Sequence, residues 1–209
     1  EATPAESIAR KALDEALAFA EGKDAVGLGP GMSRDPDTQA FILEFVRQCP
    51  APLLVDADGL NGLATDVDAL ERARAPIVIT PHPGEMARLI DGTVEDVQRD
   101  RIRTALDFSQ RYGCTVVLKG HRTVVAGEGE AAINTSGNSG LATGGSGDVL
   151  SGLVGGLMAQ GLKPLDASRL GVYTHGLAGD IAAAEKTGRG LIATDVLDAL
   201  PAAWARMER

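Results

Sequence analysis

Apolar and polar positions alternate along this chain in a way that predicts a sheet covered by helices. Four short runs rich in apolar residues predict strands, and the continuous run at 52–56 is typical of a strand that is buried on both faces. The four runs are residues 24–28, 52–56, 76–80 and 115–119. Between and after these runs, apolar residues recur at helical spacing. The predicted helices are 4–21, 35–49, 66–73, 83–90, 93–112, 149–160, 165–186 and 195–206. Because strand, loop and helix repeat, we expect a mostly parallel sheet.

Two local patterns refine this architecture. Thr3, Pro4 and Glu6 match an N-cap, a first-turn proline and the end of a capping box, so the first helix should begin at residue 4. Residues 124–126 and 131–134 flank a Gly-Glu-Gly turn, which predicts a hairpin. The sheet should therefore carry a small antiparallel addition near 123–134.

The stretch from Asn134 to Asp148 is the most unusual part of the sequence. It contains five glycines, a density that regular elements do not tolerate, and it runs directly into an apolar helical face. Unpaired N–H groups and the dipole at such a helix start favour a bound phosphate. Asp148 would repel that phosphate unless it acts as a base toward a substrate hydroxyl. The alternative is a glycine-rich turn in which Asp148 only caps the helix.

Polar residues and glycines cluster where the four predicted strands end. Parallel sheets bind ligands beyond the carboxyl ends of their strands, so the coincidence predicts a site along one rim of the sheet. In chain order, the clusters are Gly29-Pro30-Gly31, then Asp56, Asp58 and Asn61, then His82 and Glu85, then Lys119 to Thr123.

The first two clusters each have a functional and a structural interpretation. Gly31 either lets a ligand approach the backbone or forms an ordinary turn. Asp56 and Asp58 either orient a ligand or a hydrated Mg²⁺, or they cap a helix and face solvent. The other two histidines, His121 and His175, are interpreted from the pattern alone as structural or exposed.

The third and fourth clusters also have two interpretations. His82 lies between two prolines, which stiffen its backbone and favour a ligand role over a structural one. Glu85 either holds a metal-bound water or only begins a helix. Lys119 and Arg122 either meet the phosphates of a nucleotide or form a solvated pair.

Composition narrows the class of protein. The 209 residues are 44% hydrophobic, which suits one globular domain over 1–209. A net charge of −9 argues against nucleic acid or an anionic membrane as partner, and 3% aromatic residues argue against a base-stacking surface. No membrane-length apolar run or signal peptide is visible, so we expect a cytoplasmic protein. Cys49 and Cys114 lack metal or redox spacing and suit a reducing compartment.

Four motifs in order carry a family resemblance. Residues 55–61 read VDADGLN, residues 79–89 read ITPHPGEMARL, residues 118–123 read LKGHRT, and residues 140–152 read GLATGGSGDVLSG. This set resembles the ADP- or ATP-dependent NAD(P)H-hydrate dehydratases, a branch of the ribokinase-like fold, over nearly all of the chain. The resemblance implies a three-layer α/β architecture.

The resemblance also implies an activity and its partners. The family removes water from the 6-hydroxy hydrate of NADH or NADPH, by phosphorylating the hydroxyl and eliminating phosphate. ADP is converted to AMP, or ATP to ADP, with Mg²⁺ as cofactor. The resemblance further implies a homo-oligomer, with a homotetramer expected, and an epimerase domain or protein that acts on the same hydrate.

Residue roles follow from the matched motifs. Asp148 would be the catalytic base, and the N–H groups of Gly145, Ser146 and Gly147 would form the anion hole. The expected contacts of the hydrate are Gly31, Asp58, Asn61, His82 and Asp148. The expected contacts of the nucleotide are Lys119, Gly120, His121, Arg122, Thr123 and Gly147. Glu85 would organise Mg²⁺ through water.

Family members usually begin with a further strand and helix that no residue here matches, so we expect one flank of the sheet to be open. Two other interpretations compete with the dehydratase. One is a ribokinase-like kinase for a vitamin precursor or sugar, which would leave a stable phosphorylated product. The other is a nucleotide-binding regulator without catalysis, although such a protein gains nothing from a carboxylate beside phosphate.

Overall fold

The computed structural model describes residues 2–3 and 6–208 and contains a six-stranded sheet with the strands in chain order. The strands are β1 (Val26–Leu28), β2 (Leu53–Val55), β3 (Ile77–Ile79), β4 (Thr115–Leu118), β5 (Val124–Gly127) and β6 (Glu130–Ile133). β1 to β4 are parallel, while β5 and β6 are antiparallel to their neighbours. The predicted parallel sheet with an antiparallel addition is therefore confirmed.

Helices cover both faces of this sheet. They are α1 (Leu13–Ala20), α2 (Pro36–Gln48), α3 (Asp58–Leu63), α4 (Pro83–Leu89), α5 (Val94–Arg99), α6 (Arg101–Tyr112), α7 (Ser146–Ala159), α8 (Pro164–Lys186) and α9 (Ala193–Met207). Within the described residues, no helix has both the length and the apolar character needed to cross a bilayer.

Alternate residues of β2 to β5 enter two different cores, which gives three layers. Leu53, Val55 and Ile79 pack with helices from the first half of the chain. Leu54 and Val78 pack with α7 and α8 from the second half. Because both faces of β2 and β3 are buried, these two strands are apolar at every position.

The N-terminal helix begins later than the sequence predicted. Pro4 and Ala5 lie outside the described residues, but Glu6 has a φ of 59°, which a helix does not allow. The chain becomes helical at Arg10–Ala12, a 3₁₀ turn that leads into α1. The predicted capping box at Thr3 is wrong because Ser7 and Ile8 bond to Thr38 of α2, and these tertiary contacts replace the first turns.

Other helical regions also differ from the predictions. The predicted helix 93–112 is interrupted at Asp100, whose backbone is extended (φ −152°, ψ 86°) and whose carboxylate caps α6 by accepting the N–H of Arg103. The predicted helix 66–73 is a 3₁₀ helix, Val67–Arg72. The sequence reasoning missed α3 and a 3₁₀ turn at Ser139–Leu141, both in glycine-containing segments where local propensity is low.

Candidate active site

The glycine-rich segment is fastened to α8 before it reaches α7. The amide of Asn138 donates to the carbonyl of Gly179 at 3.0 Å and to the carboxylate of Asp180 at 2.9 Å. The other carboxylate oxygen of Asp180 accepts the N–H of Gly137 at 2.9 Å. Sequence reasoning did not single out Asp180, because nothing local to it indicates a partner 42 residues earlier. These bonds hold a flexible sequence in one conformation.

The start of α7 presents backbone donors without acceptors. Among the described residues, no group accepts the N–H of Thr143, Gly144, Gly145 or Gly147. Gly145 has a φ of +83° as the helix N-cap, a conformation that glycine adopts without strain. Ser146 differs, because its N–H donates to the carbonyl of Thr143 at 3.3 Å. Open donors at a helix N-terminus are a cradle for an anion, and Gly145 and Gly147 supply it more directly than Ser146 does.

Asp148 lies in the first turn of α7 with a carboxylate that has no hydrogen-bond or ion-pair partner among the described residues. The side chain is exposed and lines a groove of about 310 Å³ between the edge strand β1 and α7. Leu28 and Pro30 line the opposite wall. A free carboxylate beside an anion cradle is the arrangement that the sequence predicted for a base acting on a substrate hydroxyl.

Beneath this turn, Ser146 faces inward toward His175 of α8. The ring nitrogen Nε2 of His175 lies 3.0 Å from the carbonyl oxygen of Ser146 and 3.2 Å from its hydroxyl. Burial lowers the pKa of His175 to about 4, so the ring is neutral and its Nε2–H donates to the carbonyl. His175 is therefore structural, as expected, and it supports the cradle from below.

A buried ion pair joins the ends of β2 and β4 to α7. The ammonium of Lys119 donates to one carboxylate oxygen of Asp56 at 2.7 Å, and the hydroxyl of Ser151 donates to the other at 2.8 Å. Glu85 lies 3.8 Å from the same ammonium. A β-carbon at Gly147 would lie 3.6 Å from both Asp56 and Lys119. The ion pair therefore lies directly against the first turn of α7.

His82 and Glu85 lie at the end of β3 and cap α4 reciprocally. The Nδ1 atom of His82 accepts the N–H groups of Gly84 and Glu85, and Glu85 accepts the N–H of His82 at 2.7 Å. With Nδ1 used as an acceptor, the proton of the neutral ring is on Nε2, which lies 3.5 Å from Glu85. The half-exposed ring therefore offers a donor to a ligand.

Asp58 and Asn61, predicted as substrate contacts, are engaged with the protein. One carboxylate oxygen of Asp58 accepts the N–H of Ser33 at 2.9 Å, and the other accepts the amide of Asn61 at 3.1 Å. Ser33 has a φ of +85°, and the bond from Asp58 stabilises that conformation. Asp58 thus shapes the loop that contains Gly31, whose own backbone is exposed with a φ of +74°.

The segment from Lys119 to Thr123 follows β4 at the same rim. Gly120, His121 and Arg122 are exposed, and Thr123 bonds back to the carbonyl of Gly120 at 3.0 Å. Lys119 differs from these exposed residues, because its ammonium points inward to Asp56 and its side chain is only partly exposed. The predicted residues of all four strand ends and of the α7 turn therefore belong to one continuous edge of the sheet.

The described residues contain no group of three His, Cys, Asp or Glu side chains that could hold a metal ion directly. Glu85 is nearly buried, and among the described residues the one polar partner of its Oε1 atom is His82 Nε2 at 3.5 Å, so it keeps the capacity to accept a hydrogen bond from a water. The nearby ammonium of Lys119 disfavours direct contact of Glu85 with a cation. The donor set fits Mg²⁺ bound to phosphate oxygens and waters, which is how Mg²⁺ is usually held beside nucleotides.

Comparison with known proteins agrees with this arrangement. A family model described as NAD(P)H-hydrate dehydratase matches residues 2–202. The bifunctional NAD(P)H-hydrate repair enzyme Nnr of Moorella thermoacetica is 46% identical over 207 residues, 99% of this chain and 39% of that protein. The ADP-dependent (S)-NAD(P)H-hydrate dehydratase of Neisseria meningitidis is 42% identical over 204 residues, 93% of this chain and 67% of that protein. The chain spans about two fifths of the length of the bifunctional curated relatives it matches.

Solved structures extend the comparison to the fold. The ADP/ATP-dependent NAD(P)H-hydrate dehydratase of Bacillus subtilis, co-crystallised with ATP and Mg²⁺, matches with a TM-score of 0.77 at 29% identity. The match covers 90% of this chain and 68% of that one. A ribokinase-like superfamily protein from Enterococcus faecalis has a TM-score of 0.77 at 30% identity, over 93% of this chain and 67% of that one. The predicted ribokinase-like architecture is therefore confirmed.

Proposed function

Because the chain belongs to the NAD(P)H-hydrate dehydratase family, we propose that it catalyses the nucleotide-dependent dehydration of hydrated NADH or NADPH. In this reaction the terminal phosphoryl group of ADP or ATP passes to the ring hydroxyl, and phosphate then leaves as the ring regains its conjugation. The products are NADH or NADPH, phosphate, and AMP or ADP. The observation that carries the proposal is the unpartnered carboxylate of Asp148 beside the open N–H groups at the start of α7.

The proposed chemistry assigns a role to each group on the rim. Asp148 accepts the proton of the hydroxyl as its oxygen bonds to phosphorus. The N–H groups of Gly145 and Gly147 hold the phosphoryl oxygens, whose negative charge grows during transfer. His82 donates its Nε2–H to the hydrate, and the backbone of Gly31 also contacts the hydrate. On the inner side, the buried contact of Ser146 with His175 of α8 supports the cradle.

Nucleotide binding is proposed for Lys119 to Thr123. The ammonium of Lys119 has three N–H bonds, of which Asp56 takes one, so the others are available to a phosphate without breaking the ion pair. Mg²⁺ held near Glu85 through water would neutralise phosphate charge when bound. A homo-oligomer, an epimerase that acts on the same hydrate and a cytoplasmic location stay predictions.

The decisive assay mixes the protein with NADH hydrate, Mg²⁺ and either ADP or ATP, and follows recovery of the dihydronicotinamide absorbance and release of phosphate. A dehydratase restores the absorbance and releases one phosphate per hydrate. A ribokinase-like kinase would accumulate a phosphorylated product without this recovery. A nucleotide-binding regulator would give neither signal.

Replacement of Asp148 with Asn tests the assignment of the base. The carboxylate is exposed and unpartnered, so the variant should fold with nearly unchanged stability, and Asn can still cap a helix. We expect kcat to fall at least about a hundredfold, since a positioned base contributes about 10²–10⁴ in rate. Nucleotide affinity should hold or rise, because one negative charge is gone. A folded Asp148→Asn protein that keeps kcat within about tenfold of the parent removes Asp148 from the mechanism.

A further inference from the structure

Arg101 occupies a position that helix energetics do not favour. It is the first residue of α6, immediately after the cap residue Asp100, where the helix dipole disfavours a positive charge. It has no carboxylate within ion-pair distance among the described residues, unlike Arg103 two positions later, which pairs with Asp107 at 2.8 Å. The position of Arg101 is therefore explained by contacts outside α6.

The guanidinium of Arg101 is bonded to the backbone of the Lys119–Thr123 segment. One terminal nitrogen donates to the carbonyls of Leu118 at 2.9 Å and Lys119 at 3.0 Å. The other donates to the carbonyl of His121 at 2.6 Å. Two carbonyls of the loop and the carbonyl at the end of β4 therefore converge on one planar group, whose fixed fork geometry sets their relative positions. In the part of the chain that the structure describes, no other side chain from outside the segment donates to its carbonyls.

The bonded segment has a conformation that it would not keep without support. Gly120 has a φ of +137°, and Arg122, which has a side chain, has a φ of +53°. A β-carbon at position 120 would lie 3.1 Å from the guanidinium of Arg101, so the arginine packs flat against the glycine. The arginine and the loop are thus in close contact, and the bonds of the arginine to the carbonyls of Lys119 and His121 lie on both sides of Gly120.

We infer that Arg101 is a positioning residue that holds the Lys119–Thr123 loop in the conformation a nucleotide requires. The inference rests on the proposed function, because it takes this loop as the nucleotide site. The interruption of the helix at Asp100 is the feature that makes it possible, since it places Arg101 at the start of α6, facing the end of β4. Arg101 does not touch the reacting atoms, so its loss should weaken nucleotide binding more than it slows the chemical step.

The experiment compares two substitutions that separate geometry from charge. Arg101→Lys keeps the positive charge but lacks the fork, and Arg101→Gln removes both. Arg103→Lys is the matched control on the same helix, because Arg103 is exposed and does not contact the loop. Gly120→Ala disturbs the same contact from the loop side, and it replaces the arginine variants in the experiment if they fold poorly.

Two readouts are measured on each variant. The first is the rate of tryptic cleavage after Arg122 without nucleotide, with the midpoint of global unfolding measured in parallel. The second is KM for the nucleotide and kcat in the dehydration assay. We expect both Arg101 variants to be cleaved about tenfold faster at nearly unchanged global stability, because charge-assisted hydrogen bonds that hold the loop are lost. KM should rise about tenfold, with kcat within about threefold of the parent.

Three results would overturn the inference. Arg101→Lys could match the parent in both readouts while Arg101→Gln does not, which would make charge alone responsible. Cleavage after Arg122 could increase only in proportion to global unfolding, which would make the role a general structural one. Lastly, kcat could fall with KM unchanged. If the parent protein binds no nucleotide, the proposed function fails, but the cleavage rates still decide whether Arg101 holds the loop.

Discussion

The buried ion pair between Lys119 and Asp56 leads to a prediction about stability that is independent of the assigned activity. The Asp56 side chain is 2% exposed and that of Lys119 is 21% exposed, with the two charged atoms 2.7 Å apart. Replacement of Lys119 with Met keeps most of the side-chain volume and removes the charge. It leaves the Asp56 carboxylate buried with the hydroxyl of Ser151 as its remaining side-chain donor.

The size of the effect follows from that burial. Loss of one partner from a buried pair costs about 3–5 kcal/mol, because the other charge is left without compensation. The partial exposure of Lys119 allows some water to reach the site, so we expect Lys119→Met to lower the free energy of unfolding by about 2–4 kcal/mol. The double variant Asp56→Asn with Lys119→Met contains no buried charge at this place and should recover about half of that loss.

The assay is urea-induced unfolding followed by circular dichroism, on the parent, both single variants and the double variant. Arg169→Met is the matched control, because Arg169 and Glu130 are also 2.7 Å apart but are 34% and 67% exposed. This exposed pair should contribute no more than about 1 kcal/mol. Two results would refute the reasoning that burial makes this ion pair stabilising. Lys119→Met could lower the free energy of unfolding no more than Arg169→Met does, or the loss in the double variant could equal the sum of the losses in the single variants.

Two further predictions concern the support of the site. Gly29→Ala should lower the free energy of unfolding, measured by thermal unfolding, by at least about 3 kcal/mol, since φ is +133° and the new β-carbon would lie 1.8 Å from the carbonyl oxygen of Asp56. The control Gly129→Ala, at φ +81° in open space, should lower it by only about 1 kcal/mol. The pKa of His175 is lowered to about 4, so the unfolded chain binds its proton first and stability should decline as the pH falls from about 6.5 to about 4, by up to about 3 kcal/mol. His175→Gln should flatten that slope, and an unchanged slope would show that His175 does not carry it.

The sequence predicted the layers and the rim of the site because both depend on local pattern. A strand buried on both faces is apolar at each position, and the runs at β2 and β3 needed no knowledge of their neighbours. The start of α2 was also predicted from local pattern, since Asp35 caps the helix and Pro36 follows. Polar residues that follow parallel strands must share one edge of the sheet, so their proximity also followed from the pattern.

The state of the individual site groups did not follow from the pattern. Lys119 was predicted to face phosphate or solvent, and its bond to Asp56, 63 residues away, depends on how β2 and β4 are placed in the sheet. Asp58 was predicted to contact substrate, and the structure directs both its oxygens to the protein. Ser146 was grouped with Gly145 and Gly147, but only the folded loop shows that its N–H is engaged.

What the sequence by itself determined about this protein is its architecture, the rim on which its chemistry-bearing residues lie, and the family to which it belongs. These depend on periodicity, turn chemistry and short motifs, which are properties of neighbouring residues. The tertiary structure alone decided the break at Asp100, the use of Arg101 by the Lys119–Thr123 loop, and the contact of His175 with Ser146. The last two join residues that are 17 to 29 positions apart, and the break at Asp100 places Arg101 for the first of them. Such pairs are selected by the packing of whole elements, whose outcome no local pattern contains.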